Sequence, residues 1–116
     1  MFHNVDQNTD IWYNLRIGKI TGSHFGSIMA NDGKAFGNPA QEYAIQVALE
    51  RVTKSRMESG FTNAWMDRGH ELEPIARYLY ELETFETVDN GGIYIEGDYA
   101  TSPDGNVNQD GQIEIK

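Results

Sequence analysis

The 116-residue chain contains no cysteine. That excludes a disulfide scaffold and every thiolate-ligated zinc or iron–sulfur centre, and it fits a reducing cytosol. Long apolar runs are missing too. No stretch approaches the ~18 residues of a membrane span, and the opening Met1-Phe2-His3-Asn4 has neither the basic nor the apolar region of a signal peptide. Positive charge is scarce: nine lysines and arginines face eighteen aspartates and glutamates, for a net charge of −9. Such a balance argues against coating nucleic acid by bulk charge. Hydrophobic residues make up 39% and aromatics 11%, enough for one core, so a single domain over residues 1–116 is expected.

The charge is unevenly spread. Residues 1–60 carry six basic and six acidic side chains, whereas residues 61–116 carry three basic and twelve acidic ones. An acidic second half is either a solvated surface or a set of carboxylates gathered around a divalent cation.

Helices come first along the chain and strands last. Asp10 is placed to cap a helix from Ile11 to Ile17 that stops at Gly18, and Thr21 or Ser23 to cap a short helix carrying Phe25, Ile28 and Met29. Asn31-Asp32-Gly33 breaks the chain. Asn38-Pro39 starts a third helix, in which Ala40, Tyr43, Ala44, Val47, Ala48 and Val52 follow helical spacing as far as about Lys54–Met57. Ser59-Gly60 ends it and Asn63 caps a fourth, reaching about Glu83, with apolar positions at Met66, Leu72, Ile75, Ala76 and Leu79 and a kink expected near Pro74. After Asp89-Asn90-Gly91-Gly92 the period changes to two, and strands are expected at Gly92–Glu96, Tyr99–Ser102 and Gln112–Lys116. The expected class is α+β.

The last residues, Gln112-Ile113-Glu114-Ile115-Lys116, alternate strictly. In a strand Glu114 and Lys116 share one face, ~6.6 Å apart. A carboxylate that holds a divalent metal beside an ammonium that orients water suits phosphodiester hydrolysis. Glu-x-Lys alone is also an ordinary exposed ion pair. Asp104, ten positions earlier in Ser102-Pro103-Asp104-Gly105, can meet Glu114 across neighbouring strands. With the Ile115 carbonyl the two carboxylates make an oxygen-only site for magnesium or manganese.

Asp104 followed by Glu114-Ile115-Lys116 resembles the Asp…Glu-x-Lys signature of the restriction-endonuclease-like nucleases. Two upstream segments, Arg16-Ile17-Gly18-Lys19-Ile20-Thr21-Gly22-Ser23 and Arg68-Gly69-His70-Glu71-Leu72-Glu73-Pro74-Ile75-Ala76-Arg77, narrow the resemblance to the phage lambda exonuclease and YqaJ-type viral recombinase family, over residues 12–116. The resemblance implies a restriction-endonuclease-like fold, with N-terminal helices packed on a mostly antiparallel sheet. It implies Asp104 and Glu114 as metal ligands, Glu73 reaching the same centre directly or through water, and Lys116 as the catalytic lysine. Arg16, Ser23 and Ser102 match positions that grip the 5′-terminal phosphate of DNA, and a wedge that splits the duplex end falls near Met66, with Trp65 beside it. Position alone does not choose between Glu71 and Glu73; the family match selects Glu73. Trp12 reads as a core anchor.

The implied activity is magnesium- or manganese-dependent 5′-to-3′ exonucleolytic hydrolysis at duplex DNA ends, in the cytoplasm of a bacterial host, from a phage or prophage gene. A single-strand annealing protein and further copies of the chain are the implied partners. Family members continue beyond the lysine with more strands and helices, so a C-terminally incomplete domain is expected. Two other readings compete. One is a non-catalytic remnant that binds a recombination partner. The other is a calcium loop, Asn106-x-Asn108-x-Asp110-Gly111-x-Ile113, which would need a helix rather than strands before it.

Overall fold

A computed structural model describes residues 1–30, 36–57 and 64–116. Short strand β1 (Phe2–His3) is followed by helix α1 (Asp10–Arg16), strand β2 (Ile20–Thr21), a 3-10 turn at Gly22–His24, and helices α2 (Phe25–Ile28), α3 (Asn38–Thr53) and α4 (Ala64–Thr84). Strands β3 (Val88–Asp89), β4 (Ile93–Glu96), β5 (Tyr99–Thr101), β6 (Gly105–Val107) and β7 (Gly111–Ile113) complete the order. One sheet has the order β1-β4-β5-β2 and the other β3-β6-β7. Among the described residues only the β2–β5 pairing is parallel. The α+β class and the mostly antiparallel sheet are as expected.

Several boundaries differ for local reasons. Thr9, not Asp10, caps α1: its hydroxyl accepts the Trp12 backbone N–H, leaving Asp10 in the first turn where the helix dipole favours a carboxylate. Neither Thr21 nor Ser23 caps α2, because both hydroxyls turn to His24 Nδ1, at 2.9 and 3.4 Å. Helix α3 starts at Asn38 with Gly37 as its cap and ends at Thr53, where Lys54 takes a left-handed conformation. The breaks at Asn31-Asp32-Gly33 and Ser59-Gly60 and the cap at Asn63 lie outside the described residues. Strands β1 and β2 are too short for an alternation to announce them.

The core lies where α1 crosses the first sheet. Trp12 packs with Ile93 and Ala100, and Val5, Tyr13, Leu15 and Ile95 close around them. Ile93 is fully buried. Helix α3 buries Ala40, Tyr43, Val47 and Glu50, while Ala44, Ala48 and Val52, expected on the same face, are exposed. Arg51 of α3 donates from Nε to the Gly18 carbonyl at 2.8 Å. Gly18 has φ +69°, and a Cβ there would sit 2.7 Å from Arg51 Cγ, so only glycine fits this junction.

Helix α4 departs furthest from expectation. It runs unbroken through Pro74, yet no residue of it is buried. Leu72, Ile75, Leu79 and Leu82 remain 45–58% exposed. The helix has the expected apolar face, and the described residues leave about half of it exposed.

Candidate functional site

The β6–β7 pairing sets Gly105 against Ile113 and Val107 against Gly111. Carried one residue further, this register puts Asp104 opposite Glu114, and two residues beyond that Ser102 opposite Lys116. The hydrogen-bonded ladder itself stops at Ile113, three residues short of the expected strand end. The next partner in register for Ile115 is Pro103, which has no N–H for the Ile115 carbonyl and whose own carbonyl accepts from Gln7. Asp104 takes over: its backbone N–H donates to the Ile113 carbonyl at 3.1 Å, and its Oδ2 accepts the Ile115 N–H at 2.6 Å.

Two contacts hold the Ser102-Pro103-Asp104 segment against the core. Gln7 Nε2 donates to the Pro103 carbonyl at 2.7 Å and to the Gly92 carbonyl at 3.2 Å. Gly91 lets the two segments touch, since a Cβ there would fall 1.9 Å from the Pro103 oxygen.

Asp104 is the hub of a carboxylate group. Glu73, half-buried on α4, has its carboxyl pushed above the usual range by burial first, then by a hydrogen bond with Asp104 and by its charge; Arg77 and His70 pull the other way. Glu114 is also pushed up. Partial desolvation comes first, although the residue is exposed as a whole, followed by repulsion from Asp104 and a hydrogen bond to it, with Lys116 opposing. Glu71, the other acid considered on α4, is exposed.

These donors are all oxygens, the set a hard divalent cation takes. Crowded acids with raised proton affinity are the electrostatic condition that such a cation relieves. Among the described residues, no three histidine, aspartate or glutamate side chains are already drawn into a metal cage. The donor chemistry fits a cation.

Beside the carboxylates lies a cleft of about 440 Å³ lined by Trp12, Arg16, Ser23, Ser102, Glu114 and Lys116, among others. Arg16 and Ser23 are joined, Nη2 donating to Oγ at 3.1 Å. Tyr43 fixes this wall from α3: its hydroxyl accepts the Thr21 N–H at 3.0 Å, and its ring stacks on His24. The fold therefore brings Arg16, Ser23 and Ser102 to the cleft that holds Glu114 and Lys116, and Glu114 links it to Asp104. Met66 is 44% exposed and Trp65 82% exposed near the start of α4, and neither lines this cleft.

Trp12 does more than anchor the core. Its Nε1 donates to Ser102 Oγ at 2.9 Å, and its ring lies 4.2 Å beneath the Arg16 guanidinium carbon. Sequence reading missed this, although Trp12 and Arg16 stand i, i+4 on α1 and so share a face. Gln7 and Tyr43 carried no such signal.

The residues of the calcium loop are used otherwise. Strands β4 and β5 precede it where a helix would be needed. Buried Asn106 donates to the Asn90 carbonyl at 2.8 Å and accepts from the Tyr94 hydroxyl at 2.8 Å, so its side chain is structural.

The model of the YqaJ-like viral recombinase domain matches residues 11–116. Two solved structures are similar: LHK-Exo in complex with dAMP, with a TM-score of 0.77, and LHK-Exo from Laribacter hongkongensis, an alkaline exonuclease, with a TM-score of 0.76. Each is 35% identical to this chain, and the match covers 93% of this chain and 53% of the other. The chain thus spans about half the length of these relatives. No curated protein matches it. No helix among the described residues is long and apolar enough to cross a membrane.

Proposed function

The chain belongs to the YqaJ-like viral recombinase domain family, and we propose that it supplies the active-site portion of a divalent-metal-dependent exonuclease acting on 5′-phosphorylated ends of duplex DNA. The observation that carries this reading is one cleft lined by Arg16, Ser23, Ser102, Glu114 and Lys116, with Asp104 opposite Glu114 in register.

Asp104, Glu114, the Ile115 carbonyl and Glu73 are the groups that would hold magnesium or manganese. Such a cation, when bound, polarises the phosphodiester and acidifies a water. Lys116 orients the attacking water and offsets charge developing on the scissile phosphate. Arg16 and the Ser23 and Ser102 hydroxyls donate to the terminal 5′-phosphate, an arrangement suited to an anion because one donor is charged and all three are directional. Gripping the end fixes which phosphodiester meets Lys116, so hydrolysis proceeds from the 5′ end, releasing nucleotides and leaving a 3′ single strand. The 3′ strand is the substrate of the expected single-strand annealing partner.

The experiment is nucleotide release from matched duplexes bearing a 5′-phosphate or a 5′-hydroxyl, with magnesium or with chelator. Arg16→Ala is expected to lower release about 10- to 150-fold on phosphorylated ends, the worth of one charge-assisted contact, and far less on hydroxyl ends. Lys116→Ala is expected to depress both substrates together. Equal loss on both ends for Arg16→Ala would make Arg16 a structural residue. Binding of the phosphorylated duplex without any cation-dependent release would favour the non-catalytic reading.

A further inference from the structure

We infer that Trp12 is a positioning residue for the 5′-phosphate pocket: its indole N–H turns the Ser102 hydroxyl into a donor facing the cleft, and its ring face sets the plane of the Arg16 guanidinium. The inference rests on the end-pocket reading of Arg16, Ser23 and Ser102 proposed above.

The chemistry runs from the donor inventory. An indole nitrogen can only donate, so in the 2.9 Å contact Ser102 Oγ must accept. A serine hydroxyl held through one lone pair keeps its hydrogen for another partner, turned away from the indole. Ser102 lines the cleft together with Arg16 and Lys116, so the hydrogen has an anion site to meet. Without the indole the hydroxyl would rotate among several acceptors and would donate to phosphate only part of the time.

The ring face acts on the other half of the grip. Arg16 stands one turn after Trp12 on α1, with its guanidinium carbon 4.2 Å from the ring centroid. Stacking on an indole restricts a guanidinium to a plane parallel with the ring and adds cation–π attraction. From its place over the ring Nη2 reaches Ser23 Oγ at 3.1 Å, which couples the arginine to the second hydroxyl of the pocket. Trp12 is itself immobile: it is 6% exposed and wedged against Ile93 and Ala100. A single rigid side chain thus orients two of three phosphate donors directly and the third through Arg16. Packing alone would be served by a phenylalanine, which fills the core but cannot donate to Ser102.

The test measures affinity of the chain for dAMP and for deoxyadenosine by titration calorimetry; the ratio of the two is the increment due to phosphate. Both ligands see the same folded fraction, so lost stability cancels from the ratio. Trp12→Phe is expected to shrink that ratio about 2- to 10-fold, the worth of one neutral hydrogen bond. Trp12→Leu, which also removes the stacking face, should shrink it further. Ser102→Ala should shrink the ratio as well, and Trp12→Phe added to Ser102→Ala should change it no more, because the indole N–H acts through that hydroxyl. A ratio that survives Trp12→Phe, or falls by the same factor with and without Ser102, overturns the positioning role while leaving the pocket intact. A wild-type chain that binds dAMP no better than deoxyadenosine overturns the end pocket itself, and the role of Trp12 with it.

Discussion

The region where α1 meets the first sheet and the region of helix α4 hold comparable numbers of apolar side chains but treat them in opposite ways. Trp12, Ile93 and Ala100 are sealed among Val5, Tyr13, Leu15 and Ile95. The 21 residues of α4 bury none, and Leu79 is 58% exposed. Both regions contribute to the candidate site: the sheet side carries the cleft, and α4 carries Glu73. A side chain on the sheet side is held by neighbours on several elements, whereas Glu73 stands on a helix that buries no residue. Helical periodicity identifies an apolar face; what covers the face is a tertiary matter.

The largest effect separates the two regions by stability. Ile93→Ala empties a fully buried position and is expected to cost about 2–5 kcal/mol, whereas Leu79→Ala on the uncovered face should stay within about 0.5 kcal/mol. Denaturant unfolding of both variants checks this. A Leu79→Ala loss as large as that of Ile93→Ala would mean that the α4 face is covered in solution.

A middle-sized effect asks how firmly each region holds the proposed cation. Magnesium or manganese at ten times its dissociation constant should stabilise the chain by about 1.4 kcal/mol. Asp104→Asn, at the hub beside the β6–β7 ladder, should abolish the rise in melting temperature, while Glu73→Gln should only reduce it. Equal losses would place α4 on the same footing as the ladder.

The smallest effect concerns protons in cation-free buffer. Glu73 has a raised pKa in the folded chain, so its folded-state preference is for the protonated form. Its contribution to stability is complete below the ordinary value of 4.5 and is lost as the pH rises through the raised one. Glu73→Gln should therefore stabilise the fold slightly at pH 7, with the advantage fading on acidification. Melting curves between pH 7 and pH 4 carry the test, and an advantage that grows on acidification would contradict the upward shift that burial and Asp104 impose on Glu73.

Much of this was legible in the chain before folding. Asp10 to Arg16, Asn38 to Thr53 and the long helix through Pro74 follow from spacing and end signals, because a helix is made by contacts three and four residues apart. The hairpin of β4 and β5 follows from alternation around Gly97-Asp98. Asp104 and the Glu114–Lys116 pair were recognisable from their order and residue types, and strand register turns that order into proximity.

What the tertiary structure alone decided is where distant segments touch. Strands β1 and β2 are two residues long, and their place in the first sheet comes from partners more than 70 positions away. Arg16 and Ser23 share a cleft with Ser102, far along the chain, where α1 packs on the first sheet and Trp12 bonds Ser102. The Ile115 N–H goes to the Asp104 carboxylate, while the Pro103 carbonyl opposite it is taken by Gln7 from the other end of the chain. Local sequence determines backbone conformation through interactions within a few residues. Burial, register and the gathering of charges depend on contacts between chain segments far apart in sequence, and these form only when the fold closes.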